Sequence, residues 1–107
     1  MSTITQIKQS EFEEIALKAE GLVVVDFTAT WCGPCKRLAV ELEAAALELG
    51  TTATIVKVDV DESPELASRY GVQGIPNLTF LKNGSVVDTI IGAVPRTTII
   101  ERAKAKI

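Results

Sequence analysis

The only two cysteines of the chain stand in one pentapeptide, Trp31-Cys32-Gly33-Pro34-Cys35. One turn of backbone brings their sulfurs together without a long loop closure, so the pair can open and close a disulfide. An apolar, strand-like run precedes the motif, and Lys36 to Leu49 reads as a helix, which sets Cys32 at a helix N-terminus. Unpaired N–H groups and the positive end of the helix dipole favour a thiolate there. One cysteine then serves as a nucleophile near neutral pH while its partner resolves the intermediate. Cys35 lies one turn inside the helix, should be shielded, and therefore needs a base. Gly33 and Pro34 shape the turn, and a proline near a helix start lacks only a donor it could not use, which tunes the dithiol against the disulfide. Two blander readings compete. Zinc wants about four N or S ligands, and with two thiols and no histidine a metal would need a second chain. A structural staple gains little from cross-linking so small a loop.

The elements that must position this motif alternate strand and helix. Ile4 to Lys8 reads as a short strand, and Ser10-Glu11-Phe12-Glu13 has the form of a capping box opening a helix through about Lys18. Leu22 to Thr28 is apolar apart from Asp26 and Thr28, the pattern of a strand buried on both faces of a sheet. After the motif Leu38, Leu42, Ala45, Ala46 and Leu49 recur at helical spacing, with Glu41, Glu43 and Glu48 available to solvent and Gly50 as a stop. Thr54 to Val60 supplies a strand, and Ser63-Pro64-Glu65 starts a short helix that ends near Tyr70-Gly71. Asn77 to Leu81 and Val86 to Ile91 flank Asn83-Gly84, a hairpin signal, and a last helix from about Pro95 to Ala105 buries Ile99, Ile100 and Ala103. Strands joined through helices are expected to run parallel, the hairpin antiparallel, and helices to cover both faces. The fold class is therefore α/β, a central mixed, mostly parallel sheet of about five strands flanked by about four helices. The motif then falls at a strand's C-terminal end, where open α/β sheets commonly place their sites.

Composition narrows the function. At 107 residues and 11.5 kDa one domain, 1–107, is expected. Eleven basic against fourteen acidic residues give net −3 without a basic tract, so binding to nucleic acid or an anionic membrane is not expected. No basic start with an apolar core marks a secretory signal, which makes the cytoplasm the default address, although an exported chain freed of its signal would read the same. No glycine-rich dinucleotide loop is present, so NADPH itself should not bind. Monomer is the default state.

Three further residues invite chemistry beside plainer readings. Asp26 is the one carboxylate in the run from Leu22 to Phe27; it is either a paired or solvated strand-end aspartate or a buried carboxyl of raised pKa, able to accept the Cys35 proton directly or through a water. Lys57, between Val56 and Val58, has the alternation of a surface lysine. Pro76 could be an ordinary trans proline at a strand edge.

Taken together, Val25-Asp26-Phe27, Trp31 to Lys36, Val58-Asp59-Val60-Asp61, Tyr70-Gly71-Val72, Gly74-Ile75-Pro76, Lys82-Asn83-Gly84 and Gly92 fall in the order and spacing of the thioredoxin family, which the chain resembles over nearly its whole length. Cys-Gly-Pro-Cys separates that family from glutaredoxins and disulfide isomerases. The resemblance implies a thioredoxin fold and a protein-disulfide reductase. It implies that Asp26 takes the Cys35 proton, with the Lys57 amine nearby to modulate the transfer. It also implies that the bond before Pro76 is cis and faces the sulfurs, where the Ile75 backbone pairs with an extended target. Trp31, Gly74, Gly92 and Ala93 complete an apolar rim, in which Gly33 and Gly92 depend most on having no side chain. No bound cofactor is implied; electrons come from a separate thioredoxin reductase drawing on NADPH, or a ferredoxin-dependent enzyme, and go to disulfide-containing target proteins. Val40 stands where the family usually has a helix-kinking proline, Thr28 where it often has an aromatic, and Asn77 where threonine is frequent. The alternative is a redox-independent binding module using the rim alone, which a double Cys→Ser variant would separate.

Overall fold

A computed structural model describes residues 4–107 of the chain. Its centre is β2 (Leu22–Thr28), the strand the apolar run predicts, buried on both faces. Alternation sends Leu22 and Val24 into a core beneath α2 (Gly33–Leu49) and α4 (Arg96–Lys104). Val23, Val25 and Phe27 face the opposite way, against α1 (Gln9–Phe12), its π-helical continuation Glu13–Leu17, and α3 (Pro64–Arg69). Helices thus cover both faces.

The remaining strands are β1 (Thr5–Gln6), β3 (Ala53–Asp59), β4 (Asn77–Lys82) and β5 (Ser85–Ile91), in the order β1-β3-β2-β4-β5. β1 and β2 pair with β3 in parallel, whereas β4 lies antiparallel to β2 and β5 antiparallel to β4. Four strands therefore point one way and β4 alone points back. This corrects the expectation that every helix-joined strand runs parallel. Residues 60–76, which include the six-residue α3, join β3 to β4, and through them the chain re-enters the sheet from the end it left.

Local chemistry accounts for the element ends. Asn83 and Gly84 hold φ of 52° and 80°, the left-handed pair that a two-residue hairpin turn needs. Gly50, at φ 57°, ends α2 and donates its N–H to the Ala46 carbonyl. The first helix starts two residues before the expected capping box: Glu11, not Glu13, reaches back and accepts the Lys8 N–H at 2.9 Å. Ser63 precedes α3 without capping it through its side chain. Two glutamates link α2 to α4 at the surface: the half-buried Glu41 accepts from the Arg96 backbone N–H, Nε and Nη2 at 2.9, 3.1 and 3.1 Å, and Glu48, exposed as expected, accepts from Lys104 at 3.4 Å. Ile99 and Ala103 are buried beneath α4, while Ile100 is only half-buried.

Within α2, Leu42 is fully buried and Leu47 is 74% exposed. Leu42→Ala is expected to cost about 3 kcal/mol in urea unfolding and Leu47→Ala under about 0.5 kcal/mol. Equal losses at the two positions would contradict the core assignment.

Candidate active site

The loop leaving β2 turns directly into α2, and Cys32 caps that helix. Its backbone is extended (φ −89°, ψ 110°), Gly33-Pro34 form the first helical residues, and the Cys35 N–H donates to Cys32 Sγ at 3.2 Å. Cys32 and Cys35 are joined as a disulfide, with their Cα atoms 5.3 Å apart. In this oxidised form the two are almost equally shielded, 4% and 3% exposed. Exposure does not distinguish them; the helix does. The sulfur of Cys32 sits at the helix cap and accepts a first-turn N–H, so a negative charge released on reduction is best stabilised there.

Asp26 lies one alternation inside the end of β2, only 1% exposed, with Oδ1 lacking a hydrogen-bond partner. Burial pushes its carboxyl from the ordinary 3.8 up to about 7, against the opposing pull of the Lys57 ammonium. Parallel pairing brings that lysine in: Asp26 and Lys57 are register partners, and Lys57 is half-buried on the same face. The alternation that reads as a surface lysine is real, but its outward side is the face that α2 covers only in part.

The other residues expected at the site reach it from three loops. The Ile75–Pro76 bond is cis, Ile75 packs on the cluster of Ala29, Cys32 and Cys35, and Pro76 is buried. The Pro76 carbonyl accepts the Gly92 N–H at 2.9 Å, which ties the end of β5 to the start of β4; Ala93 follows, exposed. Gly92 holds φ 99°, which L side chains rarely adopt. Gly33 differs from expectation: a Cβ there meets nothing within 4 Å and its backbone is ordinary, so the fold itself does not demand glycine. Trp31 is 68% exposed, its Nε1–H donating to Asp61 Oδ2 at 2.7 Å.

Two residues of this surface carry no role in the reading of the sequence. Asp61 follows β3 and meets Trp31 because β2 and β3 end side by side, a pairing that the Val58-Asp59-Val60-Asp61 stretch does not reveal. Ile91 has the type of an inward strand residue, yet it is 68% exposed with Gly74 beside its Cγ2. Of the three departures from the family pattern, Val40 is exposed within an uninterrupted α2 and Asn77 is buried, accepting from Thr79 Oγ1 at 2.8 Å. Thr28 is half-buried at the end of β2. Among the described residues no group of three or more His, Cys, Asp or Glu is arranged to hold a metal, and no helix is long and apolar enough to cross a membrane.

The raised carboxyl links Asp26 to stability. Between about pH 4 and pH 7 the folded chain keeps a proton that the unfolded chain has lost, so stability falls as pH rises through that window and levels above it. In urea unfolding of the oxidised protein, about 2–3 kcal/mol should be lost between pH 5 and pH 8, and Asp26→Asn should lose little. Identical pH slopes for the two proteins would remove the titration from Asp26.

The family model described as thioredoxin matches residues 3–105. The chain is 46% identical to the thioredoxin of Rhodospirillum rubrum over 102 residues, covering 95% of this chain and 98% of that protein. It is 45% identical to the thioredoxin of Bacillus subtilis (strain 168) over 95 residues, covering 89% and 91%, and 41% identical to thioredoxin 1 of Nostoc sp. over 99 residues, covering 92% of each. A Cys-Gly-Pro-Cys disulfide at the start of α2, on a five-stranded mixed sheet with four helices, agrees with these matches: the chain belongs to the thioredoxin family and is a thiol–disulfide oxidoreductase that works through Cys32 and Cys35.

Proposed function

We propose that the chain acts as a single-domain, monomeric carrier in the cytoplasm, passing electrons from a thioredoxin reductase to disulfides of target proteins, with no cofactor of its own. The observation that carries the roles below is Cys32 at the cap of α2, its sulfur accepting the Cys35 N–H. Reduced Cys32, as thiolate, attacks one sulfur of a target disulfide; the target S–S bond breaks, its other sulfur leaves with the electron pair, and a mixed disulfide joins Cys32 to the target. Cys35 then gives its proton to the Asp26 carboxylate and its thiolate attacks Cys32. The Cys32–Cys35 bond forms, the mixed disulfide breaks, and the second target sulfur departs as thiolate. Two electrons have moved, and the chain is oxidised as the target is reduced.

An Asp26 carboxyl pushed up to about 7 suits this task, because it takes and returns a proton near neutral pH. Lys57 modulates that affinity through its charge. Gly33 and Pro34 tune the first turn of α2 and so the balance between dithiol and disulfide. Trp31, Gly74, Ile75, Pro76, Gly92 and Ala93 receive the target, an extended segment pairing along the Ile75 backbone. Support for that reading comes from two exposed large apolar side chains, Trp31 next to Cys32 in the chain and Ile91 beside Gly74.

With dithiothreitol as electron source, the wild type is expected to accelerate insulin-disulfide reduction and Cys32→Ser to fall to the uncatalysed rate. A Cys32→Ser variant as fast as wild type would sink the mechanism. Asp26→Asn should slow release of the target from the mixed disulfide about 10²-fold or less while sparing the first attack. Stopped-flow measurement of the two phases checks this, and an unaltered second phase would take Asp26 out of the chemistry.

A further inference from the structure

A groove of about 420 Å³ runs alongside α2, lined by Arg37, Val40, Glu41, Ala93, Val94 and Pro95. Both of its walls start at the disulfide. On one wall Gly33, Arg37, Val40 and Glu41 recur at helical spacing, along a single face of α2 that begins next to Cys32. The other is the segment from Ala93 to Pro95, fixed at its start by the Gly92 N–H on the Pro76 carbonyl and along its length by Val94, which packs on the core. Arg96 joins the two walls, its backbone N–H and guanidinium engaging both Glu41 carboxylate oxygens. The Arg37 guanidinium, by contrast, is exposed and makes no hydrogen bond or ion pair with any described residue, and Val40 is 63% exposed. The groove thus offers aliphatic surface and one uncommitted positive charge.

We propose that this groove is a specificity subsite for the disulfide-bearing target, which lays an aliphatic side chain against Val40, Val94 and Pro95 and a carboxylate against Arg37. The subsite adjoins the rim, rests on the reading in which the target crosses it, and extends that contact past Ala93. Continuity makes the target the occupant: exchange at Cys32 brings the target against Gly33 and, across the rim, against Gly92 and Ala93, and both lead into the groove. The lengths agree. Arg37 and Val40 lie ~7.5 and ~12 Å beyond Cys32 along the helix axis, and an extended strand reaches ~7 and ~13 Å at its second and fourth residues, whose side chains share one side. Charge agrees as well. Glu41 is already engaged by Arg96, so a carboxylate entering beside Arg37 meets an uncompensated cation, whereas a second cation is repelled. Because the chain as a whole carries net −3, that attraction is local to the groove and is not shared by the rest of the surface. Val40, one of the three departures from the family pattern, is here a specificity-determining residue, and Arg37 supplies the charge beside it.

Two sets of synthetic peptides test this, each peptide with a single cysteine held as a mixed disulfide with thionitrobenzoate. Attack of the reduced Cys32 thiolate on the peptide sulfur breaks that bond, joins Cys32 to the peptide and releases the coloured arenethiolate with the electron pair. One set carries Glu second and Leu fourth from the cysteine, the other Lys and Ser, and each is made with the pair on either side of the cysteine. Every second-order rate constant is divided by that of dithiothreitol with the same peptide. In the better direction the wild type should prefer Glu and Leu about ten-fold, the combined size of an exposed ion pair and a partly buried leucine. Arg37→Gln with Val40→Ser should lower that ratio to about two-fold or less, and Arg37→Lys with Val40→Ile should keep it. A ratio near one in both directions overturns the subsite, as does a ten-fold ratio that the Gln and Ser variant retains. Dimers in sedimentation that Val40→Ser dissolves, with no peptide preference, assign the groove to a second copy and overturn it too. If Trp31→Ala slows both sets alike while the groove variants alter nothing, the rim reading stands and the subsite falls; if Trp31→Ala alters no rate, the rim reading fails and the subsite falls with it.

Discussion

The antiparallel pairing of β4 with β2 is the constraint from which the site follows. Register partners Phe27 and Asn77 set the start of β4 against the end of β2, so the chain enters β4 through Ile75-Pro76 where β2 releases it toward Cys32. A parallel β4 would have put that entry at the far end of the sheet, ~20 Å from the sulfurs. The hairpin then returns β5 to the same end, and the Gly92 N–H closes onto the Pro76 carbonyl. Three loops distant in sequence thereby meet around one disulfide.

A second constraint is electrostatic. β2 must be apolar on both faces to sit mid-sheet, yet it carries Asp26 where no neighbour fully satisfies it. Desolvation opposes the charge and Lys57, one strand away, favours it; the balance lies near neutrality. The same burial that costs stability above about pH 7 makes the carboxyl a usable proton acceptor. Stability and chemistry are therefore coupled through one side chain, and the cores on either side of β2 must supply the margin that allows it.

Helix α2 joins the two constraints. Its N-terminus polarises Cys32, its buried face of Leu38, Leu42, Ala45, Ala46 and Leu49 anchors it to the sheet, and Glu41 and Glu48 bind α4 across it. These exposed ion pairs contribute little each, and the apolar face dominates. Rigid seating matters because Cys35 must stay within reach of both Cys32 and the end of β2. Val40, on the exposed side, leaves the helix uninterrupted.

What the sequence determined by itself was local or periodic. Two cysteines one turn apart at a strand-to-helix junction, an unbroken apolar run that has to be a central strand, a helix with one apolar stripe, and Asn83-Gly84 with the backbone freedom for a tight turn each follow from a few adjacent residues. The family resemblance added Asp26, Lys57 and the rim, which spacing alone left beside plainer readings. Only the tertiary structure decided the direction of β4, the meeting of Trp31 with Asp61 and the exposure of Ile91. Each depends on which strand ends lie side by side, a consequence of connection length and sheet register between residues dozens of positions apart. Local propensity and alternation carry no record of that, because they describe what a side chain faces along its own element and not what another part of the chain brings to it.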